Sequence, residues 1–135
     1  IHVGNLDAKR DWGHAKDYVE IQWKILQQDI PDDFVIATGR MASVRDFIEL
    51  SAKEIGWEGI KWEGSGTDEI GRRKDNNEIV IKVDAKYYRP SEVNELLGDS
   101  SKARKKLGWK PSITLEKLVE EMIAYDKELI EKEYI

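Results

Sequence analysis

Cysteine is absent from this sequence, and histidine occurs only twice, as His2 and His14. Without cysteine the chain can form no disulfide framework, no thiolate nucleophile and no cysteine-based zinc site. The two histidines do not have the spacing of a zinc-binding motif, so the sequence predicts no metal site. The absence of cysteine also fits a reducing compartment, and we expect a soluble, cytoplasmic protein.

Long apolar runs and an excess of positive charge are lacking as well. No stretch approaches the roughly twenty apolar residues that a membrane-spanning helix needs, so we expect no membrane partner. The formal net charge is −5, which argues against nucleic acid as a partner because phosphate backbones require a basic surface. A few arginines that lie close together could still bind a small anion.

Among the residues that are present, 40% are hydrophobic and 36% charged, as is typical of a soluble globular domain. Four amphipathic stretches predict helices. The first predicted helix spans Asp11–Gln28, and its buried face is expected to consist of Ala15, Val19, Trp23 and Leu26. The second predicted helix begins after Ser43 and ends at Gly56. The third begins after Asp99, runs through Lys106 and stops at Gly108. The last begins after Thr114.

Three further stretches predict strands. Phe34–Ala37 is a continuous apolar run, which favours a strand buried on both faces. Trp57–Gly66 and Ile79–Val83 alternate between apolar and polar residues, which favours half-exposed strands. The glycine-rich, charged stretch Gly64–Asn77 is predicted to be a loop. The same patterns place three tryptophans in the core, namely Trp23, Trp62 and Trp109.

No stretch of the sequence matches a cofactor-binding loop. Gly64, Gly66 and Gly71 approach the dinucleotide fingerprint, but the third glycine comes too late and no apolar strand leads directly into a helix there. Arg72 and Arg73 stand where a P-loop has lysine and serine or threonine. The sequence also has no nucleophile elbow and no tyrosine followed four residues later by lysine. We therefore predict no catalytic residue and no cofactor-binding residue in this chain.

Two stretches each place an arginine beside acidic and aromatic residues at the boundary of an ordered element. Arg10 lies in the first and Arg89 in the second. Each planar guanidinium can make paired, charge-assisted hydrogen bonds to phosphate oxygens, so two arginines together could bind a pyrophosphate. Glu92, which follows Arg89 in the second stretch, could accept a hydrogen bond from a ribose hydroxyl of the same ligand. Intramolecular ion pairs between each arginine and a nearby carboxylate remain an open alternative.

Several stretches together resemble the GDP-mannose 4,6-dehydratase family of extended short-chain dehydrogenase/reductases. They are Gly4–Val19, Asp33–Gly39, Tyr87–Val93, Gly98–Asp99, Ser101–Ala103 and Leu107–Pro111. The resemblance covers essentially the whole chain and implies an α/β fold: the C-terminal, substrate-binding portion of an NAD(P)-binding, Rossmann-like enzyme. It also implies that Arg10 and Arg89 contact a nucleotide diphosphate and that Glu92 holds the ribose.

In this family, the glycine-rich NADP loop and the Thr, Glu, Tyr and Lys catalytic residues belong to an N-terminal half that the sequence does not contain. Because the chain also begins with Ile1 and not with methionine, we expect it to be part of a longer polypeptide. Residues 1–135 would then form a single partial domain, the sugar-nucleotide-binding lobe, which is inactive alone. Phe34–Ala37 would be the edge strand of an incomplete Rossmann sheet, with apolar surface left uncovered.

For the whole enzyme, the resemblance implies a known reaction. NADP accepts a hydride from C4 of GDP-mannose, water is eliminated across C5 and C6, and the hydride returns to C6. The product, GDP-4-keto-6-deoxymannose, leads to GDP-fucose and other deoxysugar nucleotides, and the full-length protein is expected to be a dimer or tetramer. Two alternatives stay open at this point: another nucleotide-sugar epimerase or dehydratase of the same fold, and a non-enzymatic α/β binding module.

Overall fold

Two sheets and four α-helices make up the part of the chain that the computed structural model describes, residues 1–89, 93 and 95–133. The strands are β1 (His2–Val3), β2 (Lys9–Arg10), β3 (Ala42–Ser43), β4 (Ile60–Glu63), β5 (Ile70–Arg73), β6 (Ile79–Val83) and β7 (Glu95–Leu96). The helices are α1 (Ala15–Leu26), α2 (Val44–Ile55), α3 (Ser101–Leu107) and α4 (Leu115–Glu133), with one short 3₁₀ helix at Gly66–Asp68.

Both sheets mix parallel and antiparallel pairs. The larger sheet has the order β1-β6-β5-β4, in which only the β1–β6 pair is parallel. The smaller sheet has the order β3-β2-β7, and its central strand β2 is antiparallel to β3 and parallel to β7. This arrangement places Arg10 in the middle of the smaller sheet, opposite Ala42 on one side and Leu96 on the other.

Strand β5 lies inside the stretch that was predicted to be a loop, so the prediction for Gly64–Asn77 is wrong. The strand pairs with both β4 and β6. A Cβ atom at Gly71 would lie 2.8 Å from Ile60 Cγ2 and 3.1 Å from Ile81 Cβ. The glycine therefore serves close packing within the sheet and not a turn. The predicted alternating strands on either side are confirmed as β4 and β6.

Helix α2 begins and ends where its capping residues predicted. Ser43 Oγ accepts a hydrogen bond from Asp46 N, and the Asp46 carboxylate accepts one from Ser43 N, which completes a capping box. Gly56 follows the helix in the left-handed region, with φ 96°. Because each of these contacts is made within a few residues of sequence, local pattern was sufficient to predict them.

Helix α1 differs from its prediction in both its start and its buried face. It begins at Ala15, with His14 as the capping residue, and not at Asp11. The residues expected to be buried are exposed: Val19, Trp23 and Leu26 are 62%, 61% and 80% exposed. The physical reason is Asp17, whose buried carboxylate accepts hydrogen bonds from Ser112 and Ile113. These bonds turn inward the face that carries Asp17 and Ile21, and not the face that was predicted to be buried.

Ile21, on the inner face of α1, forms a buried cluster with Ala103 and Trp109. Trp109 is 1% exposed, which confirms its predicted place in the core, and Trp62 is partly buried, whereas the prediction for Trp23 is wrong. Phe34 and Ile36 also pack against this cluster.

The stretch Phe34–Ala37 was predicted to be a strand, and the structure does not assign it as one. The prediction of burial on both faces is also wrong, because Val35 is 54% exposed while Phe34 and Ile36 face the core. No neighbouring strand among the described residues pairs with this apolar run, so it forms no ladder. Apolar surface on its outer side is left uncovered.

Helix α3 ends close to its predicted stop at Gly108, and helix α4 begins directly after its predicted cap, Thr114. The N-cap of α3 is Ser100 and not the predicted Asp99, although Asp99 Oδ1 accepts a hydrogen bond from Ser101 N. Gly108 follows the helix with φ 61°. Lys117 N donates to Thr114 Oγ1 at the start of α4. The first half of α4 then packs against α2, burying Leu115 and Val119.

Candidate anion-binding site

Arg10 is positioned by the smaller sheet. Its Nη1 atom donates hydrogen bonds to Lys9 O at 2.7 Å and to Val93 O at 3.0 Å. The neighbouring Lys9 ammonium lies 2.8 Å from Glu95 Oε1 on the adjacent strand β7, and this contact raises the pKa of Lys9. Strand pairing and side-chain contacts together direct the Arg10 guanidinium toward the Val93 carbonyl.

Asp11 fixes the backbone directly after Arg10. Its carboxylate accepts hydrogen bonds from Thr38 N at 2.9 Å, from Thr38 Oγ1 at 2.5 Å and from Gly39 N at 2.9 Å. Asp11 thus joins β2 to the extended segment that precedes β3. The predicted role of Asp11 as the first residue of a helix is replaced by this cross-link.

A turn at the end of β6 carries Arg89 toward Arg10. Asp84 organises the turn: its N–H donates to Val3 O, its Oδ1 accepts from Lys86 N, and its Oδ2 lies 3.0 Å from His2 Nδ1. The Lys86 amide and the His2 ring hold the pKa of Asp84 below its ordinary value. The turn is therefore attached to β1, although β1 lies more than eighty residues away in sequence.

Gly4 permits the close approach of this turn. A Cβ atom at Gly4 would lie 2.3 Å from Tyr87 O and 3.0 Å from Tyr87 C. Because both of these atoms belong to the backbone, any larger residue at position 4 would have to displace the turn. Gly4 therefore sets the distance between the turn and the start of the chain.

Arg10 and Arg89 line the same cavity, which has a volume of about 420 Å³. The other lining residues are Gly4, Asn5, Ala8, Val44, Lys86 and Tyr87. The structure thus brings together two of the three residues that the sequence singled out. The third, Glu92, lies outside the described residues. Sequence reasoning missed Asn5, Lys86 and Tyr87, although each lies in or beside a stretch that carries the family resemblance.

A second cavity, of about 370 Å³, shares Arg10 with the first. Its lining includes the polar side chains of Asp11 and Tyr18 and the apolar residues Ile36 and Leu97. Burial raises the pKa of Tyr18, and the negative charges of Asp11 and Asp17 add to that shift. The Tyr18 phenol therefore stays neutral at physiological pH and can act as a hydrogen-bonding group in this cavity.

His14 has a structural place at the start of α1. Its Nδ1 accepts from Lys16 N, and its Nε2 lies 3.1 Å from Glu121 Oε2 on α4. Among the described residues, histidine, aspartate and glutamate side chains form no group of three that could hold a metal ion. Within those same residues, no helix has the length and apolarity to cross a membrane.

In the part of the chain that the structure describes, the three glycines that approach the dinucleotide fingerprint do not form a dinucleotide-binding loop. A dinucleotide loop joins a strand to the N-terminus of a helix and uses glycine to bring the backbone close to the pyrophosphate. Here Gly64 and Gly66 lie between β4 and a 3₁₀ helix, and Gly71 is packed inside β5. None of the three lies at the start of an α-helix, as such a loop requires.

Comparison with known proteins bears on what this cavity serves. The family model described as GDP-mannose 4,6 dehydratase matches residues 1–122. The chain belongs to the GDP-mannose 4,6 dehydratase family. GDP-mannose 4,6 dehydratase 2 of Caenorhabditis elegans is 59% identical over 131 residues, which cover 97% of this chain and 34% of that relative. The chain therefore spans about a third of the length of the curated dehydratase relatives it matches.

Solved structures show that this family member has the α/β fold of extended short-chain dehydrogenase/reductases, with partial sheets. RMD from Pseudomonas aeruginosa, complexed with NADPH, superposes with a TM-score of 0.67 at 20% identity, covering 92% of this chain and 34% of that one. UDP-glucose 4-epimerase from Thermotoga maritima, with UDP-glucose, gives a TM-score of 0.70 at 23% identity, covering 96% and 35%. At these identities the likeness concerns the fold alone.

Proposed function

We propose that this chain is the C-terminal, sugar-nucleotide-binding part of an enzyme that converts GDP-mannose to GDP-4-keto-6-deoxymannose. Membership of the dehydratase family supports the reaction, and the share of the relatives' length supports a partial domain that comprises residues 1–135. The observation that carries the binding role is the single cavity lined by both Arg10 and Arg89. Two arginines that line one cavity are suited to a diphosphate, because each guanidinium can make paired hydrogen bonds to phosphate oxygens.

In this proposal Arg10 and Arg89 bind the diphosphate of GDP-mannose and Glu92 accepts a hydrogen bond from the ribose. The volume of about 420 Å³ lies within the range of small-molecule sites, about 300–1,000 Å³. Binding the GDP moiety would hold the hexose in place for chemistry elsewhere, since contacts remote from the reacting atoms supply the energy that orients a substrate. The GDP site would thus contribute position and not chemistry.

The polypeptide that precedes this part in the relatives would bind NADP, which supplies hydride transfer when bound, and would carry the catalytic residues. The poor fit of Gly64, Gly66 and Gly71 to a dinucleotide loop supports this part of the proposal. We accordingly expect the 135-residue chain alone to have no lyase activity. A cytoplasmic homo-oligomer, dimeric or tetrameric, completes the proposal.

Replacing Arg89 tests the binding role. In the complete gene product, Arg89→Ala should weaken GDP-mannose binding about tenfold or more, because it removes one or two charge-assisted hydrogen bonds worth about 1.5–3 kcal/mol each. Isothermal titration calorimetry measures the change. Arg40→Ala is a matched control, since Arg40 pairs with Glu116 and does not line this cavity. Unchanged affinity in Arg89→Ala would remove Arg89 from the site.

The nucleotide base that the protein prefers distinguishes a GDP-mannose dehydratase from other nucleotide-sugar enzymes of the same fold. A dehydratase acting on GDP-mannose should bind GDP-mannose more tightly than UDP-glucose in the same titration. A preference for UDP-glucose would assign the chain to a different nucleotide-sugar enzyme. Binding of neither compound would favour a non-enzymatic module.

A further inference from the structure

A third cationic residue, Lys86, lines the cavity that Arg10 and Arg89 share. The described lining of this cavity consists of Arg10, Arg89 and Lys86 together with five uncharged residues, and it includes no carboxylate. The chain as a whole carries a net charge of −5. The described lining is therefore positively charged, in contrast to the chain as a whole.

The turn at the end of β6 holds Lys86 in place. Lys86 N donates to Asp84 Oδ1 at 2.9 Å, so the backbone of Lys86 is fixed by the same carboxylate that attaches the turn to β1. The Lys86 ammonium lies 5.5 Å from the centroid of the Tyr87 ring, within the range of a cation–π contact. Tyr87 lines the cavity too, so the Lys86 ammonium lies beside the ring of another lining residue.

The described residues include no carboxylate within salt-bridge distance of Lys86 or Arg89, although the charge of Lys86 contributes to the lowered pKa of Asp84. Like charges that converge on one cavity repel one another, and this repulsion lowers the stability of the empty site. A ligand with two or more negative charges would relieve the repulsion and gain attraction from all three cations. A diphosphate has that charge, whereas a neutral sugar does not.

We propose that Lys86 is a third binding cation for the diphosphate of a nucleoside diphosphate sugar, acting with Arg10 and Arg89. This inference rests on the proposed function, because it adds a residue to the same GDP site. Lysine presents a compact, hydrated charge and not a planar fork. Lys86 therefore contributes long-range attraction more than directional hydrogen bonding, and its loss affects affinity less than the loss of Arg89.

Titration of the complete gene product with GDP at several sodium chloride concentrations tests the inference. Lys86→Gln should weaken GDP binding about threefold to tenfold at low salt. The difference in affinity between this variant and the wild type should narrow as salt screens the charge. Lys86→Arg should retain nearly all the affinity because the charge is kept. Lys105→Gln, on the exposed side of α3, removes the same charge away from the cavity and should have no effect.

Each outcome separates this inference from the proposed function. If the wild-type protein binds GDP and Lys86→Gln binds it equally well at every salt concentration, Lys86 is not a binding cation and the proposed function stands. If the wild-type protein binds neither GDP nor GDP-mannose, the proposed function fails and the inference fails with it. Lys86→Met keeps the unbranched stem of the side chain and serves as a second neutral variant if Lys86→Gln lowers the melting temperature.

Discussion

Helices α1 and α2 are equally long, 12 residues each, but they use their apolar residues differently. In α2 the apolar residues Val44, Phe47 and Ile48 lie on one stripe that packs against neighbouring core clusters. In α1 the apolar residues occupy two stripes. One stripe includes Ile21, which is fully buried, and the other includes Trp23, which is 61% exposed.

The difference shows what hydrophobic periodicity can and cannot tell. A single stripe, as in α2, identifies both the helix and the face that packs. Two stripes, as in α1, identify the helix but leave the buried face undetermined, because either stripe satisfies the period of 3.6 residues. In α1 the decision is made by Asp17, whose hydrogen-bond partners lie some 95 residues away in sequence.

Paired substitutions on the two faces of α1 should give the largest contrast. Ile21→Ala should destabilise the chain by about 2–5 kcal/mol, because it leaves a cavity in a fully buried cluster. Trp23→Ala should change stability by no more than about 0.5 kcal/mol, since it removes an exposed side chain. Urea unfolding of the 135-residue chain, followed by circular dichroism, measures both changes.

The same pair can contradict the comparison. If Trp23→Ala lowers the free energy of unfolding as much as Ile21→Ala does, the stripe that includes Trp23 is covered in solution. Helix α1 would then bury both of its apolar stripes. Concentration dependence of the unfolding midpoint would then indicate that a second copy of the chain covers the stripe that includes Trp23.

Replacing Asp17 tests what orients α1, and its effect should be intermediate. Asp17→Asn keeps the size of the side chain but replaces an acceptor that receives three hydrogen bonds, from Ser112 N, Ser112 Oγ and Ile113 N. We expect a loss of about 1–3 kcal/mol at pH 7. A loss below about 0.5 kcal/mol would show that packing at Ile21, and not this carboxylate, selects the inner face.

The pH dependence of Asp17 supplies a second readout. Burial by itself raises the pKa of Asp17, but hydrogen bonds from Ser112 and Ile113 outweigh it, so the pKa lies below its ordinary value. A lowered pKa means that the stabilisation is complete above the unfolded-state value of about 3.9 and is lost as pH falls through the folded-state value. Wild type should therefore lose stability more steeply below pH 4 than Asp17→Asn does.

Much of the fold could be predicted where its cause is local. The caps at Ser43, Gly56, Gly108 and Thr114 depend on residues within one or two turns, and the structure confirms each position. The errors fall where the cause is distant. Gly71 was interpreted as a loop residue because its packing against Ile60 and Ile81 depends on two strands that the sequence does not show as neighbours.

The candidate site divides in the same way. Residue type singled out Arg10 and Arg89 as a possible anion site but left intramolecular ion pairs open, and the family resemblance then favoured the ligand role. Their shared cavity depends on the close approach of Gly4 to Tyr87, which local pattern does not reveal. Lys86 was overlooked because a single lysine in a turn is ordinarily a solvated surface residue, and only the cavity distinguishes it.

The smallest expected effect concerns the cap of α2. Ser43→Ala should cost about 1 kcal/mol, within the range of about 0.5–2 for loss of an N-cap side chain. Ser43→Asp, which can still accept from the helix N-terminus, is the matched control, although its charge lies close to that of Asp46. Denaturant titration of both variants measures the difference. Ser43 also pairs with Lys9 in the smaller sheet. A loss of stability well above 2 kcal/mol in Ser43→Ala would therefore mean that the cap also holds β3 against β2. In that case the cap of α2 would help to fix the position of Arg10.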